Sequence, residues 1–239
     1  MTQVQIGLLI FPRMTQLDMT GPFEVFARVP NAAVHLIWKR IEPVASDTGL
    51  TVLPTRTCTD CPQLDVICVP GGPGQIDLME DCEIIDFLRR QGERARFVTS
   101  VCTGALVLGA AGLLRGYRAT THWTSMDNLK HFGAVPTKER VCIDGNRITC
   151  GGVTAGIDFG LVVAKELTDR ATAERIQLSM EYAPQPPFAA GSPDTAPAEV
   201  LAVYRDMTKP MLARRKEVTL RVAAGLNAPA AKPGRASSA

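Results

Sequence analysis

A cysteine that interrupts a β-branched run is the residue in this chain best placed to do chemistry. Phe97-Val98-Thr99-Ser100-Val101 reads as a strand, Cys102-Thr103-Gly104 breaks it, and Ala105-Leu106-Val107-Leu108 resumes as a buried, small-residue helix. A strand that turns straight into a helix holds the residue between them on a tight elbow. That elbow lies at the carboxyl edge of the sheet, where open α/β folds bind ligands. Amides at the helix start then face the sulfur and favour thiolate over thiol. A free thiol with a pKa of about 8.5 is ionised only to roughly a few per cent at neutral pH. The expectation is therefore a Cys102 thiol lowered by a unit or more and acting as a nucleophile.

Partners for such a nucleophile are few. A Cys-His dyad is disfavoured locally because Thr103 follows the cysteine, and the only histidines are His35, His122 and His131. Of these, His122 closes a strand-like run and is a candidate pocket residue, with a purely structural hydrogen bond as the alternative. Asp18 follows the first strand. It reads either as a helix N-cap or as a carboxyl group at the same sheet edge, sharing a proton with the thiol as general acid and base. Glu24, further into that helix, is the competing acid. Gly71-Gly72-Pro73-Gly74 lacks the Lys-Ser/Thr of a phosphate loop and the spacing of a dinucleotide fingerprint, so its amides suit an oxyanion hole instead. Cys58-Thr59-Asp60-Cys61 has CxxC spacing but no second pair to complete a zinc site, and it precedes its strand where a redox motif would follow one. No metal or other cofactor is expected.

The elements that must position these groups alternate. Val4 to Ile10 and Asp65 to Pro70 are nearly continuous apolar runs, the pattern of strands buried on both faces. Ala33 to Trp38 reads as another strand, and Thr51 to Thr57 as one more, antiparallel or at an edge because of Pro54. Helices are expected from Gln16, over Ile84 to Arg94, after Cys102, over Thr124 to His131, from Ile157 to Leu167 and over Thr172 to Met180. Arg140 to Cys150 reads as a hairpin turning at Asp144-Gly145. Pro184 to Phe188 should be an extended arm, Glu199 to Ala223 a helix, and Leu226 to Ala239 a poorly ordered tail. The pattern gives an α/β, flavodoxin-like doubly wound sandwich with a mostly parallel central sheet. The expected organisation is an α/β domain over 1–198, a helical extension over 199–225 and the tail over 226–239.

Composition excludes several classes. A net charge of +2 without a Lys/Arg cluster before the tail argues against a nucleic-acid surface. The 46% hydrophobic and 21% charged content is that of an ordinary globular protein. No window approaches the roughly 18–20 apolar residues of a membrane span. The first ten residues lack the basic start of a signal peptide. Seven irregularly spaced cysteines suit reduced thiols in a cytoplasm, not a disulfide framework.

With these residues in place, the chain resembles the ThiJ/PfpI (DJ-one) superfamily. The resemblance rests on Leu17-Asp18-Met19-Thr20-Gly21-Pro22-Phe23-Glu24, Val69-Pro70-Gly71-Gly72, Ser100-Val101-Cys102-Thr103-Gly104-Ala105, Ala119-Thr120-Thr121-His122-Trp123 and Thr154-Ala155-Gly156-Ile157-Asp158. Glu181 to Phe188 and Ala190 to Pro193 look most like the arm of its isonitrile hydratase branch, and an aspartate at 18 agrees. The resemblance implies Cys102 as nucleophile and Asp18 as acid/base. It further implies a site lined by the Thr103 amide, Gly71 and Gly72, and a helix starting near Val153 packed against the elbow. It implies a small isonitrile substrate hydrated to a formamide, and association of two subunits. Thr103 stands where the superfamily's peptidases carry histidine, which disfavours peptidase activity. Rival readings are a cysteine-dependent glyoxalase or hydrolase acting on small carbonyl compounds, and a non-catalytic redox sensor.

Overall fold

The computed structural model describes residues 2–227. The first half of the chain runs β1 (Val4–Leu9), α1 (Gln16–Phe26), β2 (Ala32–Trp38), β3 (Val44–Ala45), β4 (Thr51–Val52), β5 (Arg56–Thr57), β6 (Val66–Val69), α2 (Gln75–Leu78) and α3 (Cys82–Gly92). The second half runs β7 (Phe97–Val101), α4 (Gly104–Ala110), β8 (Arg118–Ala119), a 3-10 helix (Trp123–Phe132), β9 (Val135–Pro136), β10 (Val141–Asp144), β11 (Arg147–Cys150), α5 (Ala155–Leu167), α6 (Arg170–Ser179) and α7 (Ala198–Asn227).

Seven strands form one sheet in the order β10-β11-β7-β6-β1-β2-β5, in which only the β10–β11 pair is antiparallel. The expected doubly wound α/β sandwich is the fold observed. Its central strands are buried as their apolar runs require: Ile6, Leu8, Val66, Cys68, Val69, Val98 and Val101 have no exposed surface. Each such aliphatic side chain contributes about 1.5–3 kcal/mol on burial. Chain order reverses beside β1, which is followed by β2 on one side and later flanked by β6 on the other. Crevices at the carboxyl ends of strands beside such a reversal are the ligand sites of open α/β sheets.

Two local expectations are corrected. Thr51 to Thr57 is not one strand. Pro54 cannot donate to a ladder, and the run splits into β4, antiparallel to β3, and β5, parallel to β2 at the sheet edge. Over Thr124 to His131 the chain is helical, but as part of the 3-10 helix. The Pro-rich arm after Tyr182 has no regular structure, and Phe188 on it is 78% exposed. Most of the tail expected over 226–239 lies outside the described residues.

The charged segment near the C-terminus folds as the single helix α7, despite Pro210 within it. Arg215, Val218, Thr219 and Ala223 are its buried positions. They recur at the three- and four-residue spacing of one helical face. That face packs on the 3-10 helix, α4 and α2, the elements next to the Cys102 turn. Among the described residues no helix is long and apolar enough to cross a membrane.

Candidate active site

Three neighbouring strands each deliver one part of the site. β1 leads to Asp18 in the first turn of α1, β6 to Gly71 and Gly72, and β7 to Cys102. Cys102 is the hinge between β7 and α4, with φ at 55°. Left-handed backbone at a residue with a side chain costs on the order of 1–3 kcal/mol and persists only where its surroundings enforce it. Here they do. The Cys102 amide donates to the carbonyls of Cys150 and Gly151 at 3.1 and 3.0 Å. The Thr121 hydroxyl donates to the Cys102 carbonyl at 2.7 Å. Gly104 must lack a side chain, because a Cβ there would collide with the Val69 carbonyl.

Asp18 is fully buried and interacts directly with the Cys102 side chain. It is not the N-cap of α1; that position is Thr15, whose carbonyl accepts the Asp18 amide at 3.1 Å. Oδ2 of Asp18 accepts the Gly71 amide at 2.9 Å, while Oδ1 is buried without a hydrogen-bond donor. Burial pushes the Asp18 carboxyl up to about 7, against the pull of the Gly71 amide and the Cys102 side chain. Burial also pushes the Cys102 thiol well up, and negative charge on Asp18 acts in the same direction; the Thr103 amide and Arg215 oppose it. The expected lowering of the thiol by the helix start is thus outweighed by burial. The resting sulfur is a thiol, beside a carboxyl group whose protonation changes near neutrality. That arrangement can move a proton between sulfur and carboxylate, with Asp18 as the base.

The glycine loop does something other than expected. The Gly71 amide is taken by Asp18, and the Gly72 amide donates to Oγ1 of Thr103 at 3.1 Å. Neither is free to receive an oxyanion. Both position the groups around the sulfur, and the backbone amide directed at the sulfur is that of Thr103.

A pocket of about 190 Å³ opens over the sulfur. Its wall includes Gly72, Cys102, Thr103, His122 and Val153, so these sequence-derived candidates do come together. His122 is both pocket wall and structural cap: its Nδ1 lies 2.7 Å from Oγ1 of Thr124, and its side chain caps the 3-10 helix. Burial and the nearby Arg215 charge push His122 down to about 4, so it is neutral at pH 7. Glu24 does not belong to the site. It lies exposed on α1 and pairs with Arg28 at 2.6 Å, because its helical position faces away from the sheet. Cys58 and Cys61 are free thiols remote from this pocket.

Further pocket residues, absent from the sequence-derived candidates, come from distant parts of the chain. Asp47 lines the pocket and accepts the Thr15 hydroxyl at 2.8 Å. Tyr204, Met211 and Arg215 reach it from α7. Tyr204 stacks on Trp123 with ring centroids 5.6 Å apart. The available signal was the arginine at 215, on what proves to be the buried face of the last amphipathic helix.

The chain is similar to several known proteins. The chain is 58% identical to the isonitrile hydratase of Pseudomonas putida over 224 residues, covering 94% of this chain and 98% of that protein. A match of that extent includes α7 as far as Arg215. A solved ThiJ/PfpI family protein from Pseudomonas syringae superposes with a TM-score of 0.89 at 45% identity, covering 92% of this chain and 91% of that one. Drosophila melanogaster DJ-1beta superposes with a TM-score of 0.69 over 76% of this chain and all of its own, a likeness of fold alone at 22% identity. The DJ-1/PfpI family model matches residues 4–166, a span that holds Asp18, Gly71 and Cys102, and the chain belongs to the DJ-1/PfpI family.

Proposed function

We propose that this chain hydrates isonitriles, adding water to R–N≡C to give the N-substituted formamide through a covalent thioimidate on Cys102. The observation that carries the reading is the buried pair of Asp18 and Cys102, a thiol with a base titrating near neutrality beside it. The 58% identity with the Pseudomonas putida isonitrile hydratase supports the substrate class.

The steps balance without any other reactant. Asp18 takes the thiol proton as the sulfur attacks the terminal isonitrile carbon, and returns that proton to the same carbon. The product is R–N=CH–S–Cys102. Asp18 then takes a proton from water as the oxygen adds to this carbon and passes it to the imine nitrogen, giving R–NH–CH(OH)–S–Cys102. Collapse of the C–S bond releases R–NH–CHO, and the hydroxyl proton returns to the sulfur. The Thr103 amide stabilises negative charge on the sulfur at both ends of the cycle. Burial serves the chemistry, since a base near pH 7 is well matched to proton transfer at neutral pH.

The reading divides the chain into an α/β unit over 1–198 that holds Cys102 and Asp18, and a helical extension over 199–225 that closes the pocket. It further takes the protein as a homodimer working in the cytoplasm. Incubation with an aryl isonitrile, with formamide followed beside the Cys102→Ala variant, tests it. Formamide from the wild type alone is expected. No formamide across several isonitriles, with turnover of small dicarbonyl compounds instead, would replace it with a glyoxalase.

A further inference from the structure

Arg215 is 3% exposed and lines the same small pocket as Cys102. Its Nε donates to Oε1 of Gln75 at 3.0 Å and its Nη1 to Oγ of Ser125 at 3.1 Å. Among the described residues no carboxylate pairs with it. A guanidinium remains charged in a protein, and a buried charge is costly without an opposite one. The acidic groups whose charge Arg215 feels are the Cys102 thiol and the Tyr204 phenol. Both are neutral at rest. The molecule therefore holds a positive charge with no ion-pair partner among the described residues, fixed by three neutral acceptors (Gln75, Ser125 and the Met211 sulfur at 3.8 Å), in the pocket over the sulfur.

The position of Asp18 gives that charge a direction. Asp18 is fully buried and does not line the pocket, whereas Arg215 lines it together with Cys102. Transfer of the thiol proton to Asp18 moves one negative charge from the buried carboxylate to the sulfur, and so to the edge of the pocket that Arg215 lines. We infer that Arg215, carried by α7, is a positioning residue that acts through Cys102, the fixed counter-charge against which its thiolate forms. Other titratable groups around the sulfur are Asp18 on α1, Asp47 at the pocket rim, His122 before the 3-10 helix, Cys150 on β11 and Tyr204 on α7. None of these supplies positive charge at pH 7, since His122 is neutral there. The family match ends at residue 166, short of α7, so this part of the site comes from outside the shared family core.

The inference rests on Cys102 being the nucleophile of the proposed hydratase, but its test uses no isonitrile. Alkylation of Cys102 by iodoacetamide would be followed against pH by peptide mass spectrometry, with the exposed Cys82 as internal reference. Arg215→Met should slow Cys102 alkylation at pH 7 by on the order of tenfold relative to Cys82, displacing its profile upward by about one pH unit. Arg215→Lys, which keeps the charge, should recover most of the rate. A folded Arg215→Met protein with the wild-type profile would overturn the assignment. Should the Met variant not fold, Arg215→Gln keeps a donor toward Gln75 and Ser125 without the charge and is read by the same two outcomes. Absence of formamide from the wild type would count against the hydratase reading alone. An unchanged alkylation profile would count against Arg215 alone.

Discussion

The backbone amide of Gly71 donates to Oδ2 of Asp18 at 2.9 Å and so ties the end of β6 to the first turn of α1. The bond fixes which carboxylate oxygen is occupied and leaves Oδ1 buried without a donor. It depends on close approach: a Cβ at Gly71 would stand 2.5 Å from the Thr103 amide nitrogen and 2.6 Å from its Oγ1. One glycine thus sets the distances among base, nucleophile turn and threonine.

Gly71→Ala is therefore expected to injure function more than stability. The added methyl meets backbone that cannot swing aside, and overpacking of this kind costs about 1–3 kcal/mol. The Thr103 amide and Asp18 would move apart by a fraction of an ångström or more, and misplacement near 1 Å costs about 100-fold in rate. A variant that melts roughly 2–12 °C below the wild type yet loses on the order of 100-fold in formamide production meets the expectation. Wild-type activity would refute the role given to this contact.

The raised Asp18 carboxyl makes a prediction in pH. In the proposed mechanism Asp18 is the base and must be ionised, so kcat/KM should level off only above about pH 8 and fall on the acid side with a midpoint near the pKa of about 7. Stability should run the other way. A carboxyl whose pKa rises on folding stabilises the native state below its unfolded value, and that contribution is lost as pH climbs to the folded value. Asp18→Asn removes the buried charge and can still accept the Gly71 amide. It should raise stability at pH 8 by several kcal/mol, with roughly 4 as the upper bound, and the gain should vanish toward pH 4. Activity should fall by about 100- to 10,000-fold. Urea titrations at pH 4, 6 and 8 decide the stability half.

The legible parts of this protein were those encoded locally. The Cys102 elbow is a contiguous strand, break and helix, and the buried strands are contiguous apolar runs, so both could be read directly. Asp18 and Glu24 were separable only by the face of α1 that each occupies. That face is set by packing of α1 on α5, where Gly156 and Gly160 permit close approach to Pro22 and Val25. The helix start that favours thiolate is visible in sequence, whereas the burial that outweighs it is a product of tertiary packing and is not. Arg215 is hidden in the sequence because 113 positions of chain separate it from Cys102, whose pocket it lines; no spacing rule extends so far.

Glu24 supplies the matching negative control. Its side chain is 53% exposed and its partner Arg28 lies one turn on, an arrangement worth about 0.3–0.5 kcal/mol. Glu24→Gln should change melting by no more than about 2 °C and formamide production by less than twofold. A large loss of activity would restore Glu24 as the competing acid and displace Asp18.

The Thr121 hydroxyl is expected to matter through the backbone it holds. It donates at 2.7 Å to the carbonyl of Cys102, the residue whose φ of 55° needs enforcement. Thr121→Val keeps the shape and removes the donor, leaving a buried carbonyl oxygen unsatisfied, at a cost of about 1–3 kcal/mol. With that tether gone the elbow can relax toward ordinary backbone, carrying the sulfur away from Asp18 and from the Thr103 amide. Thr121→Ser keeps the hydroxyl and loses only a methyl. The valine variant should therefore lose both stability and rate, whereas serine should retain most of the rate despite a smaller packing loss. If both variants lost stability equally and neither lost rate, the hydroxyl would be holding the loop and not the nucleophile.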